Sequence, residues 1–399
     1  MNKLDKIYNI FQRQTTSLSF IPQIDGLRFV AIMMVILFHI NIFVVNKIPF
    51  IFTKPAVDYW WFLYFLDTDR KGVFLFFVIS GFILAMPFAK AELQGGSPVK
   101  LKNYFLRRLT RLEPPYFLVM TACFLAVLFL KGNGFISMFP KTFSGLFPTF
   151  ASSLAYMHNI IYPNNLSINP VAWSLEVEIQ FYILVPLLVL VFKLSKQVRT
   201  TLLVVAISAV VLLQHFYKPG FYSIYNYLQY FLLGFLLVDI YLSGWKAKLG
   251  TWLSLPIGLL CLLFFMYVDF SAQFYLEYIF LVTILGFYLL ALTNDIWKRI
   301  FSIRWLTIIG GMCYSIYLLH YLIIAVVGNK TIAFNISYLY PISYIWHFAI
   351  LFPIIMLCSA IFYLLIEKPC MDKNWPKKFW SWGKNVFSGN KYAIQAGNK

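Results

Sequence analysis

Runs of about twenty apolar residues, the length that one helix needs to cross a bilayer core about 30 Å thick, recur along nearly the whole chain. Charged residues and Pro/Gly breaks separate them, placing spans near 25–45, 72–89, 114–131, 171–192, 200–217, 221–243, 250–268, 274–293, 305–327 and 345–366. The composition agrees: 61% hydrophobic, 20% aromatic and only 12% charged is more apolar surface than a 399-residue soluble core can hide. The expected fold class is all-α integral membrane, a bundle of about ten transmembrane helices. Residues 57–66 are too few to span and read as an interfacial helix with Trp60 and Trp61 at headgroup level; the segment 132–170 is similar in character.

The net charge of +18 would suggest nucleic acid as partner of a soluble protein, but here the basic residues sit in short connectors between apolar runs. They act as topology signals and phosphate attractors, so no nucleic acid partner is expected. With the N-terminus inside, only Lys47, Lys54, Arg70, Lys71, Lys131, Lys141, Lys218 and Lys330 face outward. The inward excess is roughly three to one, as the positive-inside rule asks, and both termini fall on the cytoplasmic side. The expected layout is a cytoplasmic segment over 1–20, a transmembrane domain over 21–370 and a basic cytoplasmic tail over 371–399. No cleaved signal peptide and no appended soluble catalytic domain is expected, so any chemistry lies within the membrane domain. The cysteines at 123, 261, 313, 358 and 370 lack paired spacing, predicting neither a disulfide nor a metal site.

Several ionisable residues interrupt the apolar runs. In the first span Arg28 and His39 lie eleven positions apart, on nearly one helical face and separated by about 16 Å of rise, with Asp25 one turn before Arg28. If Asp25 and Arg28 mark the cytoplasmic boundary, His39 lies near mid-bilayer, where an ionisable side chain normally faces a cavity or the bundle interior. An imidazole there suits proton transfer; the alternative is a neutral histidine bonded between helices. The second span contains Ser80-Gly81, small enough for another backbone or a ligand to come close. Arg107, Arg108 and Arg111 precede the third span, and the last two share a face that could clamp phosphates or serve as ordinary anchors. The fourth span opens Trp173-Ser174-Leu175-Glu176-Val177-Glu178. Its two acids, two positions apart, face different sides, so one is expected to face a site and the other to bind elsewhere. Tyr317 and His320 share a face in the ninth span, and Glu367 ends the tenth. His158, Asn164, Asn165 and Asn169 lie among aromatics in 132–170, either shaping a sugar site or forming a plain amphipathic connector.

In this order the segments resemble the acyltransferase-3 family of integral-membrane acyltransferases, stand-alone type, which includes bacterial O-antigen and polysaccharide O-acetyltransferases. The likeness covers residues 21 to about 370. It rests on Arg28 and His39, the Phe-Phe-Val-Ile-Ser-Gly-Phe run, Arg-x-x-Arg, Trp-Ser-Leu with Val-Glu and Gln-Phe-Tyr, and Tyr-x-x-His. Glu176 stands where many members have Ser, and Ile179 where many have a second Glu.

The resemblance implies an acyl-CoA donor, most often acetyl-CoA, no metal, and a saccharide or glycoside acceptor in the envelope of a bacterium, at its inner membrane. Arg28 and His39 match the family's functional pair, Arg108 and Arg111 its Arg-x-x-Arg, and Glu178 the acid of its Val-Glu motif. On that footing His39, Glu178, Arg28 and Asp25 are expected at the chemistry, and Arg107, Arg108 and Arg111 on the donor's phosphates. Ser80, Trp173, Glu176, Tyr317 and His320 are accessory candidates. The rival reading is a proton-coupled exporter of a lipid-linked or small saccharide, with His39, Glu178 and His320 as a proton relay. Acyl length, acceptor and oligomeric state are not legible in the sequence.

Overall fold

The computed structural model describes residues 8–13, 20–48, 60–68, 70–129, 142–163, 165–269, 273–372, 374–376 and 381. Among these there is no strand. The principal helices are α1 (Pro22–Lys47), α2 (Lys71–Leu93), α3 (Leu101–Phe129), α4 (Phe143–Leu154), α5 (Trp173–Leu188), α6 (Lys196–Phe216), α7 (Leu228–Leu242), α8 (Thr251–Tyr267), α9 (Tyr275–Thr293), α10 (Arg304–Gly311), α11 (Cys313–Ile323) and α12 (Tyr340–Phe362). Among the described residues eight helical stretches are long and apolar enough to cross a membrane, which makes this a multi-pass membrane protein. The expected spans 221–243 and 250–268 form shorter apolar helices, α7 and α8.

Helices α2 and α7 form the centre, and glycine lets their backbones meet. A Cβ on Gly81 would lie 2.2 Å from the Phe231 carbonyl oxygen, and one on Gly234 2.4 Å from that of Val78. In lipid, where burial of apolar surface gives no drive, such close van der Waals contact is what joins helices. Around this centre the outer helices turn Leu187, Val205, Leu260 and Leu357 outward, as lipid-facing side chains should be. Two buried cations are held by partners from other helices. Arg199 of α6 donates to Asp239 of α7 at 2.9 and 2.6 Å, and Lys71 donates to the carbonyls of Met266 and Val268 at the end of α8, both at 2.9 Å.

Two expected boundaries change. The third span was expected to begin at 114, but α3 starts at Leu101 and runs through Pro114 and Pro115, so the arginine cluster lies on the helix itself. Proline at 114 cannot donate to the Thr110 carbonyl; the indole Nε1–H of Trp375 does so instead, at 2.7 Å, which compensates the interruption. The span expected over 305–327 is broken at Met312. There α10 ends on Gly310 and Gly311, and a Cβ on Gly310 would stand 1.7 Å from the Asp25 carbonyl oxygen. That close approach fixes α10 against the first turn of α1, and α11 starts anew at Cys313. A short helix, Trp60–Leu66, lies in the segment expected to be interfacial; residues 57–59, Asn164 and most of 1–20 and 371–399 lie outside the described residues. The 132–170 segment contributes α4, which packs Phe143 and Phe150 on Phe124 of α3.

Candidate active site

A cavity of about 880 Å³ lies among α1, α2, α3, α5 and α11. Its lining is graded in charge. Among the described residues, Arg13, Arg28, Lys90, Lys100, Arg107, Arg108 and Arg111 line it together with only two carboxylates, Asp25 and Glu178. Lys90 and Val73, both on its wall, are seventeen residues apart on α2, so the cavity extends about 25 Å along that helix. The basic residues gather at one end. Toward the other stand Val73, Phe76, Phe77, Ser80, Ser174 and Tyr317.

Each cation is held differently. Arg28 donates to Asp25 Oδ1 at 2.6 Å, and Arg13 lies 3.6 Å from the same oxygen, so Asp25 joins the first turn of α1 to the N-terminal segment. Arg111 lies 3.8 Å from Oε1 of fully buried Glu367, whose other oxygen accepts from the Ser315 backbone N–H (3.1 Å) and hydroxyl (2.5 Å). Arg108 instead lies over the Tyr104 ring, 4.0 Å from its centroid, and 5.5 Å from that of Tyr182, and donates to the Tyr104 carbonyl at 3.0 Å. No carboxylate pairs with it among the described residues. Stacked but uncommitted, its planar fork keeps donors for a phosphate oxygen.

The two acids of α5 separate, one to the cavity and one away. Glu178 Oε1 accepts from Ser80 at 2.7 Å and from Tyr182 at 2.6 Å, which ties α5 to α2. Glu176 is buried on another side, where it accepts from the Asn159 backbone N–H at 2.9 Å. Burial holds the neighbouring His158 imidazole below the usual histidine range. Asn169 donates to the Leu318 carbonyl at 3.2 Å, an inter-element tie.

His39 does not line the cavity. Its Nδ1–H is assigned to the Val35 carbonyl at 2.8 Å, and its ring meets that of His320, centroids 4.9 Å apart. Between them and the cavity stands Tyr317, whose ring is 5.7 Å from that of His320 and whose hydroxyl donates to the Val171 carbonyl at 2.8 Å while accepting from Ser174 at 2.6 Å. Trp173, next to Ser174, stacks on Tyr222 at 4.6 Å and packs near Tyr227 at 5.2 Å, outside the cavity lining. The structure thus groups the candidates in two: Arg28, Asp25, the three arginines, Ser80 and Glu178 around the cavity, and His39 with His320 behind Tyr317. Tyr104, Tyr182, Arg13 and Glu367 complete the site. The first two carry a signal, since each stands one helical turn from the charged group it serves, Arg108 or Glu178.

Comparison with known proteins follows the same lines. O-acetyltransferase OatA of Staphylococcus aureus (strain NCTC 8325 / PS 47) is 27% identical over 414 residues, covering 96% of this chain and 62% of the relative. A second protein, from strain COL, provisionally named an O-acetyltransferase, is 28% identical over 335 residues, covering 78% of this chain and 52% of its own length. The chain therefore spans about half the length of the curated relatives it matches. No solved structure matches it. A family model for the acyltransferase domain of the acyltransferase-3 type matches residues 21–364, nearly all of the membrane bundle and every cavity-lining element from α1 to α11. The chain belongs to the acyltransferase-3 family.

Proposed function

We propose that this protein is an O-acyltransferase of the bacterial inner membrane that takes an acyl group, acetyl foremost, from cytoplasmic acyl-CoA to a hydroxyl of a saccharide or glycoside. The observation that carries the reading is the graded cavity: among the described residues, seven cations and two carboxylates around about 880 Å³, extended along α2. A coenzyme A thioester has the matching asymmetry, a polyanionic nucleotide head on a long, neutral arm. In this reading both termini and the basic end are cytoplasmic, about ten helices cross the membrane, and α7 and α8 count among them.

Arg107, Arg108, Lys90 and Lys100 bind the phosphates, with Arg108 supplying the pre-oriented fork. Arg28, Arg111 and Arg13 add positive potential but are partly neutralised by Asp25 and Glu367. The arm runs along α2, and the thioester reaches the polar ledge of Ser80, Glu178, Ser174 and Tyr317. The acceptor hydroxyl approaches from the opposite side, where His39 is half-buried. His39 Nε2 takes the hydroxyl proton as the oxygen–carbon bond forms; the carbon–sulfur bond breaks, and the departing thiolate takes up a proton. The donor sulfur and His39 therefore meet across Tyr317, whose side chain must yield for transfer.

The test is acetyl-CoA binding and free-thiol release by detergent-purified wild type, His39→Ala and Arg108→Ala, with simple methyl glycosides as acceptors. Binding and turnover by wild type, binding without turnover by His39→Ala and loss of binding by Arg108→Ala are expected. A wild type that neither binds nor consumes acetyl-CoA or longer acyl-CoA donors, with acceptors present, contradicts the reading.

A further inference from the structure

His320 belongs to α11 and His39 to α1, yet the two rings meet edge to face, with His320 Nε2 3.4 Å from His39 Nδ1. Their hydrogen bonds assign the protons. His320 Nδ1 is 3.0 Å from the Ile316 carbonyl, one turn back on its own helix, and only a protonated nitrogen satisfies that oxygen. Its Nε2 then carries the lone pair and faces His39. By the same argument His39 is protonated at Nδ1, which lies 2.8 Å from the Val35 carbonyl, and its base nitrogen is Nε2. His320 is fully buried, whereas His39 is half-buried.

We propose that His320 is a positioning residue for His39: its Nε2 lone pair shares the His39 Nδ1–H with the Val35 carbonyl, fixes the imidazole in the tautomer that presents Nε2 to the acceptor hydroxyl, and steadies the ring once it is cationic. This rests on the reading of His39 as the base. The arrangement replaces the carboxylate that usually orients a catalytic histidine with a neutral acceptor, which suits a site deep in the bundle, where a further unpaired anion is costly. Among the described residues the groups facing the pair are aromatic. The Tyr321 ring lies 5.6 Å from that of His39, Tyr317 adjoins His320, and His347 packs on Phe43 one turn farther along α1. His320 does not itself line the cavity and, in this reading, does not touch the donor, so its loss should spare donor binding.

The experiment compares His320→Leu, which fills space without an acceptor, and His320→Gln, which restores one, in the full chain in lipid nanodiscs. Acetyl-CoA is the donor, methyl glycosides the acceptors, and equilibrium acetyl-CoA binding is measured separately. His320→Leu should lower kcat by about 10- to 100-fold with donor affinity within about twofold of wild type, and His320→Gln should recover a substantial part. In a His39→Ala background either substitution should have no further effect, since the two residues act as a unit. That arm decides with His320→Gln alone if the leucine variant does not fold. Normal turnover by His320→Leu, failure of glutamine to recover what leucine loses, or an independent further fall in the His39→Ala background overturns the proposal while leaving the acyltransferase reading intact. A wild type that consumes no acyl-CoA overturns both.

Discussion

Arg108 and Arg111 are equivalent by spacing, yet their surroundings predict opposite consequences of removal. Arg108 is stacked between Tyr104 and Tyr182 with no carboxylate in pairing distance among the described residues, so Arg108→Ala breaks no described ion pair. What it removes is a charge-assisted contact to a donor phosphate, worth about 1.5–3 kcal/mol, or roughly 10- to 150-fold in acetyl-CoA Kd. Arg111→Ala instead strands fully buried Glu367. Breaking a buried pair costs about 3–5 kcal/mol, and the lower end applies because the contact is 3.8 Å and Arg111 keeps 28% of its side-chain surface. Glu367 also keeps its two bonds from Ser315. The assay pairs isothermal titration of acetyl-CoA with a thermal-stability measurement on each variant in the same nanodiscs. Arg108→Ala should lose affinity at nearly unchanged stability; Arg111→Ala should lose stability, and Arg111→Ala with Glu367→Gln should regain part of it. Refutation would be an Arg108→Ala protein that binds donor normally, or an Arg111→Ala protein as stable as wild type.

Glu178→Gln should reduce turnover by about 10-fold or more, because the carboxylate lines the cavity, whereas Glu176→Gln should change turnover by less than about threefold; initial thiol-release rates compare the two. Gly81→Val should yield little monodisperse protein by size-exclusion chromatography, since overpacking at a backbone contact costs about 1–3 kcal/mol or more and a Cβ there would stand 2.2 Å from the Phe231 carbonyl oxygen. Cysteines introduced at Lys248 and Lys218 report topology: a membrane-impermeant thiol reagent applied to intact cells should label Lys218→Cys and spare Lys248→Cys, and the reverse pattern would invert the proposed orientation.

The helical membrane class was legible because lipid forces backbone hydrogen bonds to close within each helix, so long apolar runs have few alternatives. The boundaries that moved did so for reasons of local contact. A proline pair inside α3 is tolerated only because Trp375, from far along the chain, reaches the Thr110 carbonyl. The break at Met312 depends on Gly310 meeting the backbone of Asp25. Within the site, helical geometry alone implied that Glu176 and Glu178 face different ways, and they do. It also placed Arg28 and His39 on one face about 16 Å apart. It could not reveal that Tyr317 stands between the cavity and the His39–His320 pair, because that separation arises where α11 packs on α1, across 281 positions of sequence. Pairings such as Arg111 with Glu367 are invisible for the same reason.

The proposed acyl transfer requires that acyl-CoA be consumed through His39. Free-thiol release from acetyl-CoA, measured for wild type and His39→Ala at matched donor occupancy and with glycoside acceptors present, tests it. Turnover by wild type and a fall of about 100-fold or more in His39→Ala, with donor affinity retained, are expected. Equal turnover by the two proteins, or none by wild type with any acyl-CoA donor, would contradict it.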